Sequence, residues 1–183
     1  MRSATPPTAA GADGGQPVDD LLPLLYQELR RIAHRQLGRQ PQGGTLETGE
    51  LVHEAYLKLV AAARGAPMPD QPRFLALASI AMRHVIVDRA RARRRLKRGG
   101  DRGRVTFEED RIAVEDRPEA LLQLDEALVW LAQLEPRLAH VVECRFFGGM
   151  NEEEVAAALG VTVRTVQRDW AKARMLLRRA LES

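Results

Sequence analysis

Residues 151–170, "NEEEVAAALGVTVRTVQRDW", constrain the fold more than any other stretch. Two short segments of helical period flank Gly160, and each begins with a capping residue. Asn151 can cap the first while Glu154, three residues on, reaches back, and Met150 with Val155 has the spacing of a hydrophobic staple. Gly160 suits the left-handed position after a helix, and Thr162 can cap the next one, so the turn between them is very tight. Ala156 is small enough for close helix crossing. Leu159, Val161, Val166 and Trp170 face inward, which turns Arg164, Thr165, Gln167, Arg168 and Lys172 outward.

The outward set has the chemistry of a DNA reader. Arginine pairs bidentately with guanine and glutamine with adenine, while lysine and threonine reach phosphates. The competing reading is a helical hairpin whose exposed face is merely solvated. Agreement in order of cap, glycine, small residue and basic face favours the DNA reader.

Composition narrows what precedes the motif. The chain has 183 residues, 45% hydrophobic and only 4% aromatic. Ala, Leu, Glu and Arg dominate, which favours helices over sheets and an all-α class. One cysteine, Cys144, excludes an internal disulfide and a Cys-rich zinc module and fits a reducing cytoplasm. No apolar run approaches a membrane span, and residues 1–17, rich in small residues, read as a disordered tail without a signal peptide.

Helical period continues along the chain. Residues 18–38 place Leu21, Leu25, Leu29, Ile32 and Leu37 on one stripe, with Gly38 as a stop, and "TGELVHEAYLKLVAAA" gives a second amphipathic helix. A proline-rich break follows. A long helix then opens near Pro72, apolar first and basic later, and ends at Gly99 and Gly100. Residues 99–117 show no clear period and read as a linker. Beyond it Asp116 and Glu119 have capping-box spacing, Leu121, Leu124, Leu128 and Leu131 form a stripe, and a further helix runs from about Pro136 to Phe147 before Gly148 and Gly149.

Between Arg83 and Arg104 stand ten Arg or Lys against two acids. Such runs are commonly just solvated, but this one continues an apolar-faced helix, so its cations are displayed rigidly and suit phosphates. Nineteen linker residues extend to at most roughly 65 Å. Two basic helical units on such a tether can touch one duplex at two places.

The order of "LVHEAYLKL", "MRHVIVDRARARRRLKRGG" and "VVECRFFGGMNEEEVAAALGVTVRTVQRDWAKAR" resembles bacterial RNA polymerase sigma factors of the extracytoplasmic-function type, which keep only sigma regions two and four. The likeness runs from about Leu21 to Leu181, and the "KRGG" and "RTVQRDW" endings look most like a sigma-like subgroup. It implies a region two domain at 18–98, a flexible linker at 99–117 and a region four domain at 118–183. In such proteins the helix at 48–63 packs on the β′ clamp coiled coil, with Glu50, Leu51, His53, Glu54 and Lys58 at matching positions, and the β flap is a further partner. Arg83, His84, Asp88, Arg91 and Arg95 match the minus-ten side, where an unstacked base is captured. Thr162, Arg164, Thr165, Gln167, Arg168 and Lys172 match the minus-thirty-five side. An anti-sigma protein or another regulator is a typical partner. Three positions depart from many relatives: His84 replaces Asn, Leu77 replaces Trp, and Trp170 replaces Leu.

Other chemistry is poorly supported. His53 and Glu54 begin a zinc-protease pattern, but Leu57 holds the second histidine position. His140 and Cys144 supply half a metal site with no further ligand nearby. "GGDRGR" lacks the lysine and hydroxyl of a phosphate loop. The expectation is a cofactor-free, non-enzymatic protein that directs polymerase to promoters. The alternatives are a stand-alone helix-turn-helix regulator, binding DNA as a dimer, and a nucleic-acid-processing enzyme using the basic helix.

Overall fold

The computed structural model describes Arg30 and residues 48–62, 70–96, 103–107, 112–114 and 118–182. The N-terminal tail, the helix expected over 18–38 apart from Arg30, the Gly99–Gly100 stop and Asp116 lie outside the described residues. Six helices follow in order: α1 (Thr48–Ala62), α2 (Gln71–Leu96), α3 (Pro118–Leu134), α4 (Pro136–Val142), α5 (Glu152–Leu159) and α6 (Val163–Glu182). Among the described residues the architecture is all-α apart from one short ladder between α2 and α3.

Apolar spacing decides which faces are buried. Leu51, Val52, Ala55 and Leu59 turn one face of α1 onto α2, where Phe74, Leu75, Ala78, Met82, Val85 and Ile86 receive it. Burying a side chain such as Phe74 or Met82 contributes about 1.5–3 kcal/mol. Asp70 caps α2, its Oδ1 accepting from the Arg73 amide at 3.1 Å, and the helix begins at Gln71, one residue before the expected start. From Arg91 to Leu96 the helix is exposed on all sides.

The helix expected to run from Pro136 to Phe147 changes pitch near its end. Glu143–Phe147 form a π-helical turn, closed by the Gly148 amide donating to the Glu143 carbonyl at 3.0 Å. The wider turn buries Glu143, Cys144, Phe146 and Phe147 together. Period alone cannot show this, because the apolar positions satisfy either pitch.

α2 also packs against α3, α5 and the π turn, so residues of all six helices share one hydrophobic core. The approach is closest at Gly148, where an added methyl carbon would stand 2.0 Å from Ser79 Oγ. Part of the expected linker is ordered into a hairpin: β1 (Val105–Phe107) pairs antiparallel with β2 (Ile112–Val114), in a register that sets Phe107 opposite Ile112. Ile112 enters the core, and Arg178 of α6 donates to the Phe107 carbonyl at 2.8 Å while its guanidinium lies over the Phe107 ring. Each strand has only three residues, too few for an alternating pattern to stand out in the sequence.

Candidate nucleic-acid interface

The start of α5 is fixed by a reciprocal capping box. Asn151 Oδ1 accepts from the Glu154 amide and Glu154 Oε2 accepts from the Asn151 amide, both at 2.8 Å. The staple residues Met150 and Val155 are buried. Gly160 ends the helix at φ 65° and ψ 37°, the left-handed region that a Cβ disfavours, and the Val161 amide returns to the Ala156 carbonyl at 3.0 Å. Thr162 then caps α6 through its Oγ1, 3.2 Å from the Thr165 amide. Two helices are thereby set at a fixed angle by three residues.

Val166, Trp170, Ala173 and Leu177 anchor α6 inward, and α6 packs on α3, α4 and α5. Arg145 lies over the Trp170 ring, 4.6 Å from its centroid, and Arg174 sits at 5.9 Å. Asp169 is buried as well, accepting from Arg137 Nε at 2.6 Å. The outward face holds Arg164, Gln167, Arg168 and Lys172, all exposed. Thr162 is exposed and Thr165 half-buried, and their hydroxyls bond each other at 2.9 Å. Glu152 accepts from Gln167 Nε2 at 2.7 Å and Arg145 Nη1 at 3.0 Å, while Lys172 bonds Glu135. One face of one helix thus presents three cations and an amide.

The N-terminal candidates divide by burial. Glu50, His53 and Lys58 are exposed on α1 and Glu54 is half-buried. Glu54 bonds Arg89, and Lys58 bonds Asp88 at 3.2 Å, so this surface is laced to α2 by ion pairs. Leu51 has no exposed area and belongs to the core rather than to that surface. On α2, His84, Asp88, Arg91 and Arg95 are exposed. Leu77 is exposed too, one helical face away from the core.

Arg83 is different. It is 6% exposed, and its guanidinium turns into the junction of α2, α3 and the π turn. Nε and Nη2 donate to Asp125 Oδ1 at 2.9 and 2.6 Å, and Nη1 donates to Glu143 Oε1 at 2.6 Å. Asp125 Oδ2 receives Arg91 Nη2 at 3.0 Å, and Glu143 Oε2 lies 2.9 Å from His140 Nδ1, so all four carboxylate oxygens are engaged. In this arrangement Arg83 offers nothing to a nucleic acid, which corrects its expected display with the surface cations. Arg83 shares a face with Ser79, Ile86 and Ala90, all in contact with the interior or its edge, and that position draws it inward.

Titration follows from these contacts. The hydrogen bond to Glu143 raises the His140 pKa above 6.5, against the opposing effect of burial. Burial is the largest influence on Glu143 and pushes its carboxyl up, but hydrogen bonds and charges from His140 and Arg83 together bring it below 4.5. Burial, with the Glu143 charge, pushes the Cys144 thiol up to about 12. Among the described residues no cluster of three His, Cys, Asp or Glu side chains could hold a metal ion, and no helix is long and apolar enough to cross a membrane.

Sequence reading missed Asp125, Glu143, Asp169, Arg137 and Glu152. A signal existed for Asp125, which stands between Leu121 and Leu128 on the apolar stripe of α3. A carboxylate there requires a buried cation.

Together the capped turn, the inward-anchored second helix and its basic outer face define a helical DNA-binding protein of the helix-turn-helix class. The family model described as "ECF sigma factor" matches residues 11–183. The chain belongs to the ECF sigma factor family, whose members serve RNA polymerase in transcription initiation and are not an enzyme class. No curated protein matches the chain closely enough to count as a relative.

Proposed function

We propose that the chain binds core RNA polymerase in the cytoplasm and directs it to promoters that carry two separated elements. The outward face of α6 carries this reading: Arg164, Gln167, Arg168 and Lys172 stand on a helix whose entry and depth are set by caps and by Trp170. That face would read the minus-thirty-five element, with Thr162 and Thr165 near the phosphates. The exposed end of α2, with His84, Asp88, Arg91 and Arg95, would lie along the minus-ten element where the strands part. Glu50, His53, Glu54 and Lys58 of α1 would meet the β′ clamp coiled coil, supported from beneath by Leu51, and α3 to α6 would sit near the β flap. Affinity comes from tethering modest contacts through polymerase.

Core polymerase reconstituted with the chain tests the reading. Run-off transcription from a cognate promoter should fall when Arg164→Ala and Arg168→Ala are introduced together, with core binding retained. The His53→Glu variant should instead weaken core binding. Binding to a palindrome as a dimer, with no engagement of polymerase, would favour a stand-alone regulator.

A further inference from the structure

Glu152 opens α5 and ties it to the outward face of α6. Its two carboxylate oxygens have different partners: Oε1 accepts from Arg145 Nη1 at 3.0 Å, and Oε2 accepts from Gln167 Nε2 at 2.7 Å. Arg145 is itself fixed, standing on the π turn with its guanidinium 4.6 Å from the centroid of the buried Trp170 ring. The side chains of Arg145 and Glu152 are 18% and 28% exposed, whereas Gln167 lies in the open. A chain of contacts therefore runs from the interior to one side chain of the outward face.

The last link decides which way round the Gln167 amide stands. A carboxylate only accepts, so it is met by the amide nitrogen and never by the amide oxygen. Oε1 of Gln167 is thereby turned away from Glu152, and Nε2 keeps one hydrogen beyond the one it gives. An amide that offers its oxygen and one N–H matches adenine, whose major-groove edge donates at N6 and accepts at N7. Guanine presents two acceptors there, O6 and N7, so the fixed oxygen meets a lone pair instead of a hydrogen. A glutamine without such a neighbour can turn its amide over and donate to guanine as readily, because that terminal torsion is broad and two-fold. Glu152 also places an acid near a face that approaches phosphates, which weakens binding to every sequence alike.

We infer that Glu152 is a positioning residue that sets specificity: clamped by Arg145, it fixes the Gln167 amide so that α6 selects adenine over guanine at one base pair of the upstream element. The inference rests on the sigma-factor reading above. In this role Glu152 acts through Gln167 and contacts no base itself. An acid in the first turn of a helix also complements the helix dipole, a role that moves stability but not base choice.

The test compares the upstream elements selected from random DNA by core polymerase reconstituted with the full chain. Gln167→Ala should erase a preference for adenine at one position, which identifies the base pair that Gln167 reads. A good bidentate contact discriminates by about five- to 150-fold. Glu152→Gln keeps the length of the side chain but donates as well as accepts, so the Gln167 amide is free to turn. The adenine-to-guanine ratio at that position should fall by about fivefold or more, with the rest of the element still selected. In the Gln167→Ala background the same substitution should leave that position unchanged, as expected of two residues that act as one unit. Should Glu152→Gln fail to fold, as read by circular dichroism, Glu152→Ala removes the acceptor outright and should give the same loss. An intact adenine preference in the folded variant overturns the inference, whether affinity for all sequences rises uniformly or denaturant unfolding shows only a loss of stability. Erasure by Gln167→Ala of a preference for another base, or of none, overturns it as well. Elements that depend on Arg164 and Arg168 but are indifferent to Glu152 sink this inference alone. If no recovered element depends on Arg164 and Arg168, the reading of the α6 face falls and the inference with it.

Discussion

Trp170→Ala isolates what holds the recognition helix in place. Trp170 is 6% exposed, wedged where α6 meets α4 and α5. Truncating a buried tryptophan costs about 3–5 kcal/mol, counting lost transfer energy and the cavity left behind. Arg145 over the ring adds about 0.5–1 kcal/mol. One effect works the other way: among the described residues the indole N–H has no hydrogen-bond acceptor, and removing an orphaned buried donor recovers about 1–3 kcal/mol. The net loss should therefore fall near 3 kcal/mol, a large share of the 5–15 kcal/mol typical of a domain. Trp170→Phe keeps most of the ring and discards the orphaned donor, so it should cost less than about 1.5 kcal/mol. Denaturant unfolding followed by far-ultraviolet circular dichroism measures both, with promoter binding read alongside. Equal losses for the two variants would refute the reasoning, because they would place the importance of Trp170 in its N–H and not in its volume.

Asn151→Ala removes one half of the capping box and should destabilise the chain by about 1 kcal/mol in the same assay, with Asn151→Gly costing only a few tenths. His140 and Glu143 set a pH window for the folded chain. The raised pKa of His140 adds stability that is complete below 6.5 and lost as pH rises through its folded value. The lowered pKa of Glu143 adds stability that is complete above 4.5 and lost as pH falls through its folded value. Unfolding free energy should thus hold both contributions between about pH 4.5 and 6.5 and decline on either side, and His140→Gln should abolish the decline on the alkaline side. Cys144, with its thiol pushed up to about 12, should resist alkylation at pH 8 in the native chain and react readily after denaturation.

The C-terminal half was largely legible in the sequence, because its turns are made by residues whose chemistry is local. Asn151, Glu154, Gly160 and Thr162 act on amides within a few positions of themselves, and the structure places them as their spacing requires. Helical period likewise located α2 and α3. What was hidden is non-local. The partnership of Arg83 with Asp125 and Glu143 spans 42 and 60 residues, and nothing in the basic run marks Arg83 as unlike its neighbours except its place on the apolar face. The pitch change at Glu143–Phe147 was hidden for another reason, since a π turn leaves the apolar residues in the order an α-helix would use. The hairpin of β1 and β2 depends on its docking against α3 and α6, which no six residues can announce.

The most direct test of the account is selection of DNA fragments by core RNA polymerase reconstituted with this chain, followed by run-off transcription from the fragments recovered. The account predicts two short elements at one fixed spacing, dependence of the upstream element on Arg164 and Arg168, and transcription only when the chain is present. Recovery of a single palindromic site, bound equally well without polymerase and giving no transcript, would contradict it.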